Sequence, residues 1–163
     1  MLVARAQLDF VTELVARFAS DAGEMRPVVH HQSQYIAIIA LLRSVGHVFE
    51  KVDCTDPARR AWCAARWVEW KRAPIFHEFI EPARNVLLKE FQGGLQLRDD
   101  AFGHVAVVVD AAVPGYVSRI ASFDARKLYD ARGRAVLPML RQALSFWDVC
   151  LSEAEARLPP AAS

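Results

Sequence analysis

The 163 residues are 53% hydrophobic and 24% charged, with a formal net charge of +1. The chain is long enough to enclose one core and too apolar for general disorder. It is also too evenly charged to recruit nucleic acid or an anionic membrane by its net field, so any such contact needs a local patch.

The amino-terminal segment places Val3, Phe10, Val11, Leu14, Val15 and Phe18 at helical spacing over residues 2–19, and "SDAG" ends it. Arg5, Asp9, Glu13 and Arg17 recur every four residues on another face, where they can pair. They interrupt the apolar pattern and so exclude a signal peptide. A second helix is predicted from Ser33, read as its N-cap, to about Val52. Its apolar run, Tyr35 to Leu42, ends at Arg43, far short of the ~20 residues that span a bilayer. These features predict a cytoplasmic protein with no membrane partner. His30 and His31, ahead of this helix, read as a surface pair.

"DCTDP" is a helix start, with Thr55 or Asp56 as cap and Pro57 in the first turn, and the third helix runs to about Lys71. "RAPIF" opens a fourth at Pro74, ending before Gly93 and Gly94. Pro82 lies inside it and predicts a kink or a break, because its ring removes a hydrogen bond. "GLQLRDD", "HVAVVVD" and "PGYVSRI" then read as a small antiparallel hairpin or meander over residues 95–121. A hairpin alone is marginally stable, so it needs helices or a partner subunit beside it. The last helix runs from about Ala135 to Leu158 with Pro138 in its first turn, and "LPPAAS" reads as a frayed tail. The expected fold is mainly α: one domain, residues 1–163, of about five helices, with the β insertion before the last. Three cysteines without CxxC spacing imply neither a zinc site nor a disulfide frame, and Cys63 and Cys150 read as small core residues.

The fourth helix, "IFHEFIEPARNVLLKEF", carries Arg84, Asn85 and Lys89 in an otherwise apolar stretch. One reading is a solvated face in which Glu81 and Glu78 bond to Asn85 and Lys89. A second starts from the motif: "RNVLLK" resembles the HEPN family, whose signature is an Arg, often followed by Asn, and a His four to six residues beyond the Arg. The resemblance implies a helical bundle that cleaves RNA without metal, as a dimer whose Arg and His residues meet near the dyad. By that resemblance Arg84 holds the scissile phosphate, which a guanidinium binds bidentately, and Asn85 orients it. Lys89 stands where the family has His. A lysine can neutralise phosphate but is a poor base at its ordinary pKa of about 10.4. Arg43, His47 and Glu50 share one face of the second helix, and if that face meets Arg84, His47 can supply the imidazole. The structural alternative for the trio is an internal salt-bridge cluster.

"RRAWCAARWVEWKR" interleaves aromatic and basic groups, with Trp62, Arg66 and Trp70 four apart, which suits single-stranded nucleic acid. The alternative is that Trp67 and Trp70 fill the core beneath solvated arginines. A metal reading fails on spacing, because di-iron bundles use Glu-x-x-His and "HEFIE" lacks the second His of HExxH. No metal and no cofactor is expected. The sequence therefore predicts RNA or nucleotide binding, with Arg84, Lys89 and His47 as the catalytic set and Asn85, Arg43 and Arg66 as nucleic-acid contacts. The competing class is a non-enzymatic homo-oligomeric assembly module. Four tryptophans and an inserted β segment predict a homodimer in either case.

Overall fold

The computed structural model describes all residues except 22–26, 91–94, 100–104, 110–116, 123–125 and 159–163. The Gly93-Gly94 stop, the Pro-Gly turn and most of the tail lie outside the described residues. The chain is mainly helical. Helix α1 (Val3–Asp21) buries Ala4, Leu8, Val11, Val15 and Phe18, the three-and-four spacing of one face. Helix α2 (Val28–Val48) starts five residues before Ser33, with Pro27 ahead of its first turn. Ser33 does not cap it, because its Oγ donates to the His30 carbonyl. His31 is not a surface residue: it is buried against the Phe18 ring. Helix α3 spans Pro57–Trp70, helix α4 Glu81–Leu88 and helix α5 Val136–Arg157.

Residues far apart in sequence tie these helices together. The α1 N-terminus is capped by Asp53, whose carboxylate oxygens accept from the Val3 and Ala4 amides at 2.7 and 2.9 Å. Those amides have no intrahelical partner, and a carboxylate there also meets the positive end of the helix dipole. Arg5 reaches across to α5, to Asp148 at 2.6 Å and Glu155 at 3.0 Å, in place of the expected pairing along α1. The core behind these pins is aromatic. Trp147 is fully buried, with Trp67, Trp70 and Phe76 rings around it at 6.0–6.1 Å.

The cysteine reading needs correction. Cys54 and Cys63 are joined by a disulfide, with Cα atoms 6.2 Å apart, while Cys150 is a free buried thiol. An odd count left a pair available, and the turn between α2 and α3 brings the two together. Burial, Glu153 and Arg66 act on the Cys150 thiol in that order, and its pKa is pushed up to about 12.

Two π-helical segments flank the central packing: Phe49–Asp53 extends α2, and Ile75–Ile80 leads directly into α4. The second answers the question of Pro82. There is a change of helix type rather than a gap, and Pro82 falls in the first turn of α4, where the missing amide does least harm. The carbonyl four residues earlier, on Glu78, accepts instead from Arg134 Nη1 at 3.1 Å. Arg134 is fixed by Asp130, whose Oδ2 accepts from Nε at 2.8 Å and from Nη2 at 2.7 Å. Asp130 Oδ1 closes the loop before α5 by accepting from the Arg132 and Arg134 amides. Gly133, at φ 75°, supplies the left-handed residue this tight loop needs.

The inserted segment is a nested antiparallel arrangement longer than expected, ending at Tyr129 rather than 121. Strand β1 (Gln96–Asp99) pairs with β4 (Arg126–Tyr129), in register Gln96↔Tyr129. Strand β2 (Val105–Val109) pairs with β3 (Val117–Ser122), in register Val105↔Ser122, with an irregularity between Val108 and Val109. Tyr129 also bridges to Ala135, which anchors the base of the insertion at the start of α5.

Candidate functional site

Helix α2 and helix α4 meet along a cleft of about 270 Å³ lined by Ala40, Arg43, Ser44, His47, Glu81, Arg84, Asn85, Leu88 and Lys89. The face bearing Arg43 and His47 therefore does meet Arg84. Five of the six residues singled out from the sequence share this one cavity.

Arg43 is more buried than its counter-ion Glu81, at 16% against 41% side-chain exposure. Its guanidinium lies 5.5 Å from the Trp67 ring centre and 5.2 Å from that of Phe76, the cation–π geometry that suits arginine. Among the described residues its only ion-pair contact is a long one, Nη2 to Glu81 Oε1 at 3.5 Å. Nη1 is buried and has no hydrogen-bond partner among the described residues. Desolvation lowers the Arg43 pKa; Glu81 opposes that and Arg84 adds to it. Arg84 pairs with neither glutamate: its Nη1 donates to Asn85 Oδ1 at 3.1 Å. The solvated-face reading, with Glu78 and Glu81 holding Asn85 and Lys89, does not describe these contacts. Lys89 is exposed at the rim.

His47 stands at the same rim with its ring 5.8 Å from Trp67. Desolvation by burial lowers its pKa, and Arg43, Lys51 and Lys71 push the same way against Glu50. The ring is therefore neutral at pH 7 and free to accept a proton. Trp67 is buried core, and cations rest on its ring from outside: beside Arg43, Lys71 Nζ lies 5.3 Å from its centre. The ring can sit this close to α2 because residue 46 is glycine. A Cβ on Gly46 would lie 2.1 Å from Trp67 Cζ3.

Compared with family models, with curated proteins and with solved structures, the chain matches none. The reading of the cleft therefore rests on its chemistry.

Arg66 is elsewhere. It bonds to Glu69 on its own helix and to Glu153 on α5, away from the cleft. Among the described residues no group of three or more His, Cys, Asp or Glu is placed to hold a metal ion. No described helix is long and apolar enough to cross a membrane. Sequence reasoning missed Glu81 as the counter-ion of Arg43, and it missed Gly46. The signal for Gly46 was a glycine inside a strongly apolar helix, which usually marks a close approach.

Proposed function

We propose that the α2–α4 cleft binds the phosphate backbone of RNA and that the protein is an HEPN-like RNA-binding domain. The observation that carries this is Arg43: a mostly buried cation that among the described residues has one distant counter-ion and an unsatisfied Nη1, beside Arg84 and Lys89. A buried cation left short of acceptors is costly, and an incoming phosphate would supply both charge and acceptor oxygens. Arg84 and Arg43 would clamp the phosphate, Lys89 would neutralise it from the rim, and Asn85 would hold Arg84 in place.

Cleavage is compatible with the same groups. Neutral His47 would take the proton of a 2′-hydroxyl as that oxygen attacks phosphorus. The bond to the 5′-oxygen breaks, leaving a cyclic phosphate, and the departing oxygen takes a proton from water. His47 would thus stand in for the family's histidine, from a different helix. The test is binding of a labelled single-stranded oligoribonucleotide at low salt, where phosphate contacts are strongest. Loss of affinity in Arg84→Ala with normal melting supports the reading. No affinity in the wild type at low salt removes it, and an intact product pattern in His47→Ala removes the cleavage step alone.

The second reading is a homo-oligomeric assembly module. It is favoured by an open groove of about 460 Å³ between α3 and α5, lined by Trp70, Ile75, Phe146 and an exposed Val149. Sedimentation at micromolar concentration tests it: a homodimer is expected, and a monomer at every concentration excludes this reading. A cytoplasmic setting belongs with the RNA proposal, and it has a chemical consequence for Cys54 and Cys63.

A further inference from the structure

Resting on that RNA-binding reading, we infer that the Cys54–Cys63 disulfide is a thiol-exchange site for a small anionic thiol, and that its state controls the α2–α4 cleft. Structural disulfides are rare in reducing compartments, where those that form are usually transient and redox-sensing. The bond also borders a cavity of its own, of about 270 Å³, lined by Glu50, Lys51, Cys54, Thr55, Arg60, Cys63 and Ala64. Two cations flank it. Lys51 is mostly exposed and 3.7 Å from Glu50. Arg60 donates to the Thr55 carbonyl at 3.2 Å and has no carboxylate partner among the described residues. Two positive groups against one acid attract a thiol bearing carboxylates and favour its thiolate form in the cavity.

The chemistry balances as follows. The incoming thiolate attacks one protein sulfur, the Cys54–Cys63 bond breaks, and the departing thiolate takes a proton from water. A second thiol attacks the mixed disulfide and frees the other cysteine. The protein bond gains two electrons, and two small thiols leave as one oxidised disulfide.

The bond links the segment that follows the Arg43–His47 helix to the helix that carries Trp67, the ring beneath Arg43. Arg43 and His47 precede Cys54 on the continuous helix formed by α2 and its π extension. Trp67 follows Cys63 by one turn of α3, and Lys71 by two. The disulfide therefore ties to α2 the helix whose Trp67 ring packs against Gly46, beneath Arg43 and beside His47. With the bond open, α3 loses its one covalent tie to that helix beyond the chain itself.

The experiment measures opening of the native disulfide, by alkylation and mass, with glutathione, 2-mercaptoethanol and cysteamine at matched thiolate concentration. Glutathione is expected to react several-fold faster than cysteamine, with the neutral thiol between them. Lys51→Gln/Arg60→Gln should erase that order while the bond still opens. Equal rates for the three thiols in the wild type, or a bond that opens only in denaturant, would overturn the exchange site. Oxidised and reduced protein are then compared for RNA affinity, with Cys54→Ser/Cys63→Ser as a fixed mimic of the open form. A tenfold or greater loss on reduction, reproduced by the mimic, is expected, and equal affinity in both states overturns the control of the cleft. If neither state binds RNA, the binding reading fails, while the exchange rates still report on the site by themselves.

Discussion

Gly46→Ala sets two opposing effects against each other. In a helix interior, alanine is favoured over glycine by about 1 kcal/mol, so propensity alone predicts a more stable protein. The new methyl, however, would lie 2.1, 2.3 and 2.8 Å from Cζ3, Cη2 and Cε3 of Trp67, where carbon atoms ordinarily approach to about 3.5–4.0 Å. The ring would have to retreat by more than an ångström. It has little room, because Phe76 lies edge-on at 5.4 Å and Trp147 is stacked at 6.1 Å. Overpacking of this kind costs about 1–3 kcal/mol, and a ring held on two sides belongs at the upper end. A net loss of about 1–2 kcal/mol remains, which for a domain of this size lowers Tm by roughly 2–8 °C. The assay is thermal unfolding followed by circular dichroism, with tryptophan emission as a local probe. A Tm equal to or above wild type would mean that the ring does not rest on residue 46, and the packing of Trp67 beneath Arg43 would fall with it.

Arg84→Ala should change stability by less than about 0.5 kcal/mol, because among the described residues its side chain bonds to the neighbouring Asn85; a large drop in Tm would show that the residue is structural. Arg134→Ala should cost roughly 3 kcal/mol, since it leaves the Asp130 carboxylate buried beside an uncapped Glu78 carbonyl, and a Tm within a degree of wild type would contradict that. For His47, whose folded pKa is depressed, the charged ring is the penalised form. Its contribution to stability is therefore fully present above the ordinary histidine pKa and is lost as pH falls through the lower folded value. Imidazole titration by NMR should give a midpoint below 6.5, and His47→Asn should remove this part of the acid destabilisation; a midpoint above 6.5 would reverse the sign.

What could be read from the sequence was local. Proline starts and apolar spacing placed α3 and α5 to within a residue or so, and β-branched runs placed the start of the insertion but not its last strand, Arg126–Tyr129. The start of α2 was missed because Ser33 looks like a cap but turns its hydroxyl back to His30. The cleft was legible as two separate faces, Arg43 with His47 and Arg84 with Lys89, but not as their meeting. A helical wheel also assumes a constant turn. The π segment before Glu81 widens it, which places His77 outside the cavity that Glu81 and Arg84 share. Asp53 capping a helix 50 residues away and Arg43 meeting Glu81 38 residues on are decided by tertiary packing. No local pattern announces them.

Pro82 and Arg134 form a compensating pair, one lacking an amide donor and the other donating to the Glu78 carbonyl. Substitutions at the two positions should therefore covary across descendants of this chain. Pro82→Ala returns an amide to the Glu78 carbonyl and makes one arm of the guanidinium redundant. Arg134 is then retained only for its hold on Asp130, so the variant Pro82→Ala should tolerate loss of the arginine better than the parent does. A double-mutant cycle would report that compensation as a coupling energy, and the route by which a proline entered the helix would be to acquire the arginine first.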